Sequence, residues 1–143
     1  MKFRYQKLPL GYYNPKHPLV PRPFLPIHLV GINRKTEAPF WALLDSGADR
    51  VIMPIDLAQE VGVYNVEQGR PEPAMGISGQ PVPVYYHPLN IQVIGNSNLL
   101  PIEIGFMSAI PIPLLGRSFF KHFTSVIFHE EKEEVELKTP HEN

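Results

Sequence analysis

An all-β fold built from short strands is what this chain of 143 residues predicts, and three observations carry that reading. Its 17 prolines interrupt helices and confine strands to edges or short pieces. Apolar residues alternate with others where strands are expected, as in Leu25, Ile27 and Leu29. Glycine, asparagine and polar clusters punctuate the apolar runs at turn-like intervals. At 43% hydrophobic residues the chain can bury a real core, and its length suits one domain.

Residues 1–22 are rich in Pro, Tyr and Lys without a clean period. They read as an N-terminal arm, irregular and packed across a neighbour or partly mobile, ahead of a domain spanning 23–143. Phe24 to Val30 is predicted as the first strand, and Gly31 to Pro39 as a polar hairpin connection. Phe40 to Leu44 is a mostly apolar strand with both faces buried, and Val51 to Pro54 another short one. Asp56 to Gly62 suits one helical turn, with an acidic N-cap and a glycine stop. Residues 65–73, polar and proline-rich, are expected to form a loop. Ala74 to Gln80 reads as a hairpin tip, two glycines bracketing Ile77. Val82 to Tyr86, Leu89 to Ile94 and Leu99 to Met107 are predicted strands, with a turn at Gly95 to Asn98. Ile110 to Gly116 is apolar and ends on glycine. Arg117 to Phe123 has helical spacing. Thr124 to His129 and Glu134 to Lys138 make a closing hairpin around charged residues. No internal repeat or linker is visible.

Composition excludes several functions. The net charge of −1 leaves no nucleic-acid footprint. The chain contains no cysteine, which removes disulfides and thiolate metal sites. The start of the chain lacks an apolar core of signal-peptide length, and no stretch approaches the roughly 18 apolar residues of a membrane helix. A soluble, cytoplasmic protein is expected. The six histidines form no H-x-x-x-H or H-E-x-x-H pair, so no metal or cofactor is expected. Ser46 lacks the G-x-S-x-G setting of a serine nucleophile.

Three segments carry chemistry. In Leu43-Leu44-Asp45-Ser46-Gly47-Ala48-Asp49, an apolar strand delivers a carboxylate to a tight, glycine-dependent turn. Gly76-Ile77-Ser78-Gly79 is a bendable hairpin tip. Leu114-Leu115-Gly116-Arg117 runs into the short helix. In that order and spacing they resemble the retropepsin-like aspartic proteases, over about residues 20–138. The resemblance implies a closed, barrel-like retropepsin fold with one short helix near its C-terminal part. It also implies hydrolysis of peptide bonds by paired carboxylates. Two carboxylates a few ångströms apart cannot both ionise easily, so they share a proton. The charged member activates a water, and the protonated one donates to the substrate carbonyl. The chain has one acid in this setting, Asp45; its other aspartates are Asp49 and Asp56. The second carboxylate must then come from a second copy, making a homodimer.

By the same resemblance, Ser46 bonds across the two-fold axis and Gly47 leaves room for the substrate backbone. Asp49 bonds the substrate backbone and pairs with Arg117, after Gly116; a purely structural ion pair is the competing reading. Ala48 lies in the same loop. The tip at Gly76, Ile77, Ser78 and Gly79 closes over an extended peptide and excludes water. Ile52, Ile112 and Leu114 match positions that line side-chain pockets, although periodicity alone also suits them to a core. Three features depart from the family pattern: serine rather than threonine at 46, a basic Arg50 after Asp49, and an arm longer than in minimal retroviral enzymes. In those enzymes the termini interleave to build much of the dimer interface, and the arm and the hairpin 124–138 change the material available for it. Two alternatives remain: a catalytically silent dimer that binds extended peptides under its flaps, and a structural dimerisation domain.

Overall fold

Strand pairing closes a ring around the core. The computed structural model describes residues 1–9, 14–75 and 79–140. Ten strands run in chain order: β1 (Lys2–Arg4), β2 (Phe24–Val30), β3 (Phe40–Leu44), β4 (Val51–Pro54), β5 (Arg70–Met75), β6 (Pro81–Val93), β7 (Leu100–Met107), β8 (Leu114–Leu115), β9 (Ser125–His129) and β10 (Glu134–Lys138). Seven of them form one sheet in the order β2-β3-β8-β4-β7-β6-β5. An additional β2–β6 pairing joins six of these into a ring and leaves β5 outside, on β6 alone. The other three make a small sheet, β1-β10-β9. The fold is therefore mostly β, as the alternating and proline-punctuated sequence predicts.

The first three predicted strands form with the expected bounds, because each is a short apolar run between turn residues. Alternation places Leu25, Ile27 and Leu29 in the core with Val51, Met53, Ile91, Ile104, Phe106 and Leu115. The connection from β2 to β3 is fastened by Thr36, whose buried hydroxyl accepts the Leu29 N–H at 3.2 Å and lies 2.8 Å from His28 Nδ1.

Both helical segments expected from the sequence form, each shorter than its expected range, as α1 (Leu57–Glu60) and α2 (Arg117–Phe120), so there are two short helices where the family resemblance implied one; two 3-10 turns accompany them. Three other expectations change. Residues 65–73 are not a loop: after a turn at Val66–Gln68 the chain enters β5. Prolines 71 and 73 are tolerated because β5 is an edge strand, free on the side away from β6. The two strands expected across 82–94 are one, β6, of 13 residues. Pro88 does not break it, because β5 pairs only as far as Tyr86 and β2 begins at Asn90. The missing N–H falls between the two partners. Finally, the first residues are not irregular. β1 pairs antiparallel with β10, and the backbone of Met1 exchanges hydrogen bonds with Leu137. An isolated bridge joins Gln6 to Arg22.

Candidate active site

Asp45 stands where β3 ends, and the two leucines before it explain its position. Leu44 is buried in the core, while Leu43 faces the other way, paired with Leu114 on β8. β8 slots between β3, to which it is parallel, and β4, to which it is antiparallel. Leu43 N–H donates to Pro113 O at 2.9 Å and Asp45 N–H to Leu115 O at 3.0 Å. The strand end carrying the carboxylate is thus fixed by backbone bonds to a segment 70 positions further along the chain (Asp45 to Leu115).

The turn that follows is tightened by its own groups. Asp45 Oδ1 accepts the Gly47 N–H at 2.9 Å, and Asp45 O accepts the Ala48 N–H at 3.2 Å. A side-chain oxygen bonding the backbone two residues on is the reason aspartate suits such a turn. Asp45 is half-buried, while Ser46 and Gly47 are exposed. A Cβ on Gly47 would sit 3.3 Å from Asp45 Oδ1.

Gly116 locks this turn to α2. A Cβ there would collide with the carbonyl oxygens of Arg50 and Ala48, so only glycine allows the approach. The approach lets Arg117 N–H donate to Ala48 O at 2.8 Å and Ser118 N–H to Asp49 O at 3.0 Å. Ile52 pairs with Leu114 across β4 and β8, both half-buried on the side away from the buried Val51, Met53 and Leu115. Ile112 is half-buried just before β8. Gly76, Ile77 and Ser78 lie outside the described residues. Gly79, at the start of the returning strand, has φ +74°.

Asp49 and Arg117 line one cavity of about 430 Å³ with Arg50, Glu72, Ser118 and Lys121. The expected ion pair between Asp49 and Arg117 does not form. Their link is between backbones, through the Ser118 N–H to Asp49 O bond, and the ion pair made in this corner is Arg50 with Glu72 at 3.5 Å. Glu72 also receives Arg70 at 2.8 Å, and Arg70 reaches Glu103 on β7 at 2.6 Å. The hydrogen bond from Arg70 holds the Glu72 carboxyl below the usual carboxylate range. The two guanidinium groups lie over the ring of Tyr86, at 5.8 Å and 5.0 Å from its centroid. Burial pushes the Tyr86 hydroxyl pKa up. The sequence reading missed this network because it treated 65–73 as a loop. The available signal was the i, i+2 spacing of Arg70 and Glu72, with prolines on the alternate positions.

In this arrangement one Asp45 oxygen is engaged by the loop backbone, through the Gly47 N–H. The model of the retroviral aspartyl protease family matches residues 20–127. No curated protein matches the chain. Among solved structures, EIAV protease complexed with the inhibitor HBY-793 is similar at 22% identity and a TM-score of 0.52, over 76% of this chain and 90% of that one. At that identity the likeness establishes the fold, and the family match covers three-quarters of the sequence. The chain belongs to the retroviral aspartyl protease family, and is by kind an aspartic protease of retropepsin-like fold.

Proposed function

We propose that the protein is a homodimeric aspartic endopeptidase, in which a water held between two Asp45 carboxylates, one per subunit, attacks the peptide bond. The observation that carries this reading is the clamped turn: a lone carboxylate at the end of β3, fixed by Leu115 and Gly47. Of the other two aspartates, Asp49 faces the neighbouring charged cavity and Asp56 precedes α1. Neither supplies the second half of a pair. A second copy related by two-fold symmetry supplies it. Ser46 then lies at the axis, and the β5–β6 hairpin covers an extended peptide or protein substrate.

Asp45→Asn tests the reading. The amide is nearly isosteric but neither shares a proton nor acts as a base, so cleavage of a peptide library should fall by several orders of magnitude with the fold intact. Specific activity of the unsubstituted protein should also fall on dilution as the dimer dissociates. Cleavage retained by Asp45→Asn would remove this carboxylate from the mechanism. Peptide binding without cleavage by the unsubstituted protein would make it a silent binding dimer instead.

A further inference from the structure

We propose that the charged cavity beside the Asp45 turn receives an acidic side chain of the substrate, with Arg50 as the residue that selects it; this rests on the endopeptidase reading above. The cavity, of about 430 Å³, is lined by three cations, Arg50, Arg117 and Lys121, against two acids, Asp49 and Glu72. Among the described residues neither Arg117 nor Lys121 makes an ion pair. The sixth lining residue is Ser118, whose hydroxyl oxygen is buried and has no hydrogen-bond partner among the described residues. A buried hydroxyl left unpaired is uncommon in a folded chain and calls for a partner. Cations in excess, beside a hydroxyl with a proton to donate, suit a carboxylate.

Arg50 is the cation free to change partner. Its bridge to Glu72 is long, at 3.5 Å, and both groups are exposed. Glu72 has a closer cation in Arg70, at 2.8 Å. When Arg50 turns to a second carboxylate, Glu72 therefore keeps its shorter bond. Exposed ion pairs contribute little, so the exchange costs little. The ring of Tyr86, its centroid 5.8 Å from the Arg50 guanidinium, supports that group through the exchange. Asp49 also lines the cavity, and its charge opposes an acid, but the cations outnumber the acids by three to two.

The place of the cavity makes the occupant a substrate side chain. Arg50 directly follows the turn that carries Asp45, and Glu72 lies on β5 of the covering hairpin. Their bridge spans the gap between the two. A peptide lying over Asp45 and under the hairpin passes this bridge as it leaves the cleft. Residues 46–49 separate Asp45 from Arg50, and an extended peptide advances about 3.3 Å per residue. The acid therefore falls beyond the residues that flank the scissile bond.

Peptide pairs that differ only by Glu or Gln, placed in turn at each position on either side of the scissile bond, test the assignment. At one position beyond the flanking residues, Glu should raise kcat/KM about tenfold over Gln. The gain should lie mainly in KM, because the contact is the same in the ground and transition states. It should shrink as salt is added. Arg50→Gln should bring the ratio close to one, and Arg50→Glu should favour Lys at the same position. Each ratio is taken within one variant, so a loss of folding or activity common to both peptides cancels. A ratio near one at every position, or an acid preference unaltered in Arg50→Glu, would overturn the assignment while leaving the protease intact. The same pairs titrated into Asp45→Asn by calorimetry read binding without cleavage. Acid-dependent binding there, with no cleavage by the unsubstituted protein, would overturn the endopeptidase reading and leave the site standing.

Discussion

The turn that carries Asp45 and the β5–β6 hairpin beside it are held by different forces. Three backbone bonds to one segment, residues 115–118, fix the turn: Asp45 to Leu115, Arg117 to Ala48, and Ser118 to Asp49. Gly116 makes that contact possible. The hairpin is paired to the ring mainly through the later part of β6, since β7 takes up β6 only from Tyr85 onward. Before that point β5 and β6 pair with each other alone, with Pro73, Pro81 and Pro83 along them. What ties the base of the hairpin to the Asp45 side is an exposed chain of charges, Arg50, Glu72, Arg70 and Glu103. Backbone contacts without room for a Cβ tolerate no displacement, whereas exposed ion pairs contribute little and re-form easily. Under the proposed function, the carboxylate that meets its counterpart sits on the first kind of support and the cover that opens for substrate on the second.

Three substitutions, in falling order of effect, break or sharpen this contrast. Gly116→Ala should be the most damaging after Asp45→Asn. Its Cβ would displace the Arg50 and Ala48 carbonyls, at a cost on the order of 3 kcal/mol, a large share of the stability of a domain this size. Thermal unfolding should show a much lower midpoint together with lost activity. An unchanged midpoint would mean that the contact is loose.

Gly79→Val comes next and should separate activity from stability. Glycine occupies φ +74° there with no atom within 4 Å of where a Cβ would stand, so the penalty is conformational rather than a clash. A strain of about 1–3 kcal/mol can be relieved by distortion of the exposed hairpin, sparing the core. Turnover should drop by roughly tenfold while the thermal midpoint stays close to that of the unsubstituted protein. Normal turnover would show that the hairpin does not work as a cover.

The smallest effect is expected at Glu72. Its carboxyl pKa is lowered in the folded chain, first by the hydrogen bond from Arg70 and then by the charge of Arg50, from an ordinary value of 4.5. A depressed acid stabilises the fold above its unfolded pKa, and that contribution is lost as pH falls through the folded one. Glu72→Gln should therefore lower the thermal midpoint slightly at neutral pH, and the two curves should converge below about pH 4.5. Both groups are exposed, so screening keeps the effect small and salt should shrink it further. Curves separated by a constant gap across the acid range would assign the difference to something other than this charge.

The sequence by itself determined β2, β3 and β4, the helical turn near Asp56, the closing hairpin and the segment bearing Asp45. Each is a local pattern: alternating or continuous apolar residues bounded by glycine, proline or polar turns. The family resemblance lay in the same legible segments, since an aspartate that bonds Gly47 N–H is set by residues two positions apart. Tertiary structure alone decided where partners matter. Pro71, Pro73 and Pro88 read as breaks until it is known which neighbour leaves their missing N–H unneeded. The first residues become β1 only because β10, more than 130 positions away, offers an edge. Arg50 pairs with Glu72 because β5 brings a carboxylate across a distance the sequence does not encode. Side-chain period is a property of one strand, whereas hydrogen-bond partners and charges belong to whichever strand packs beside it.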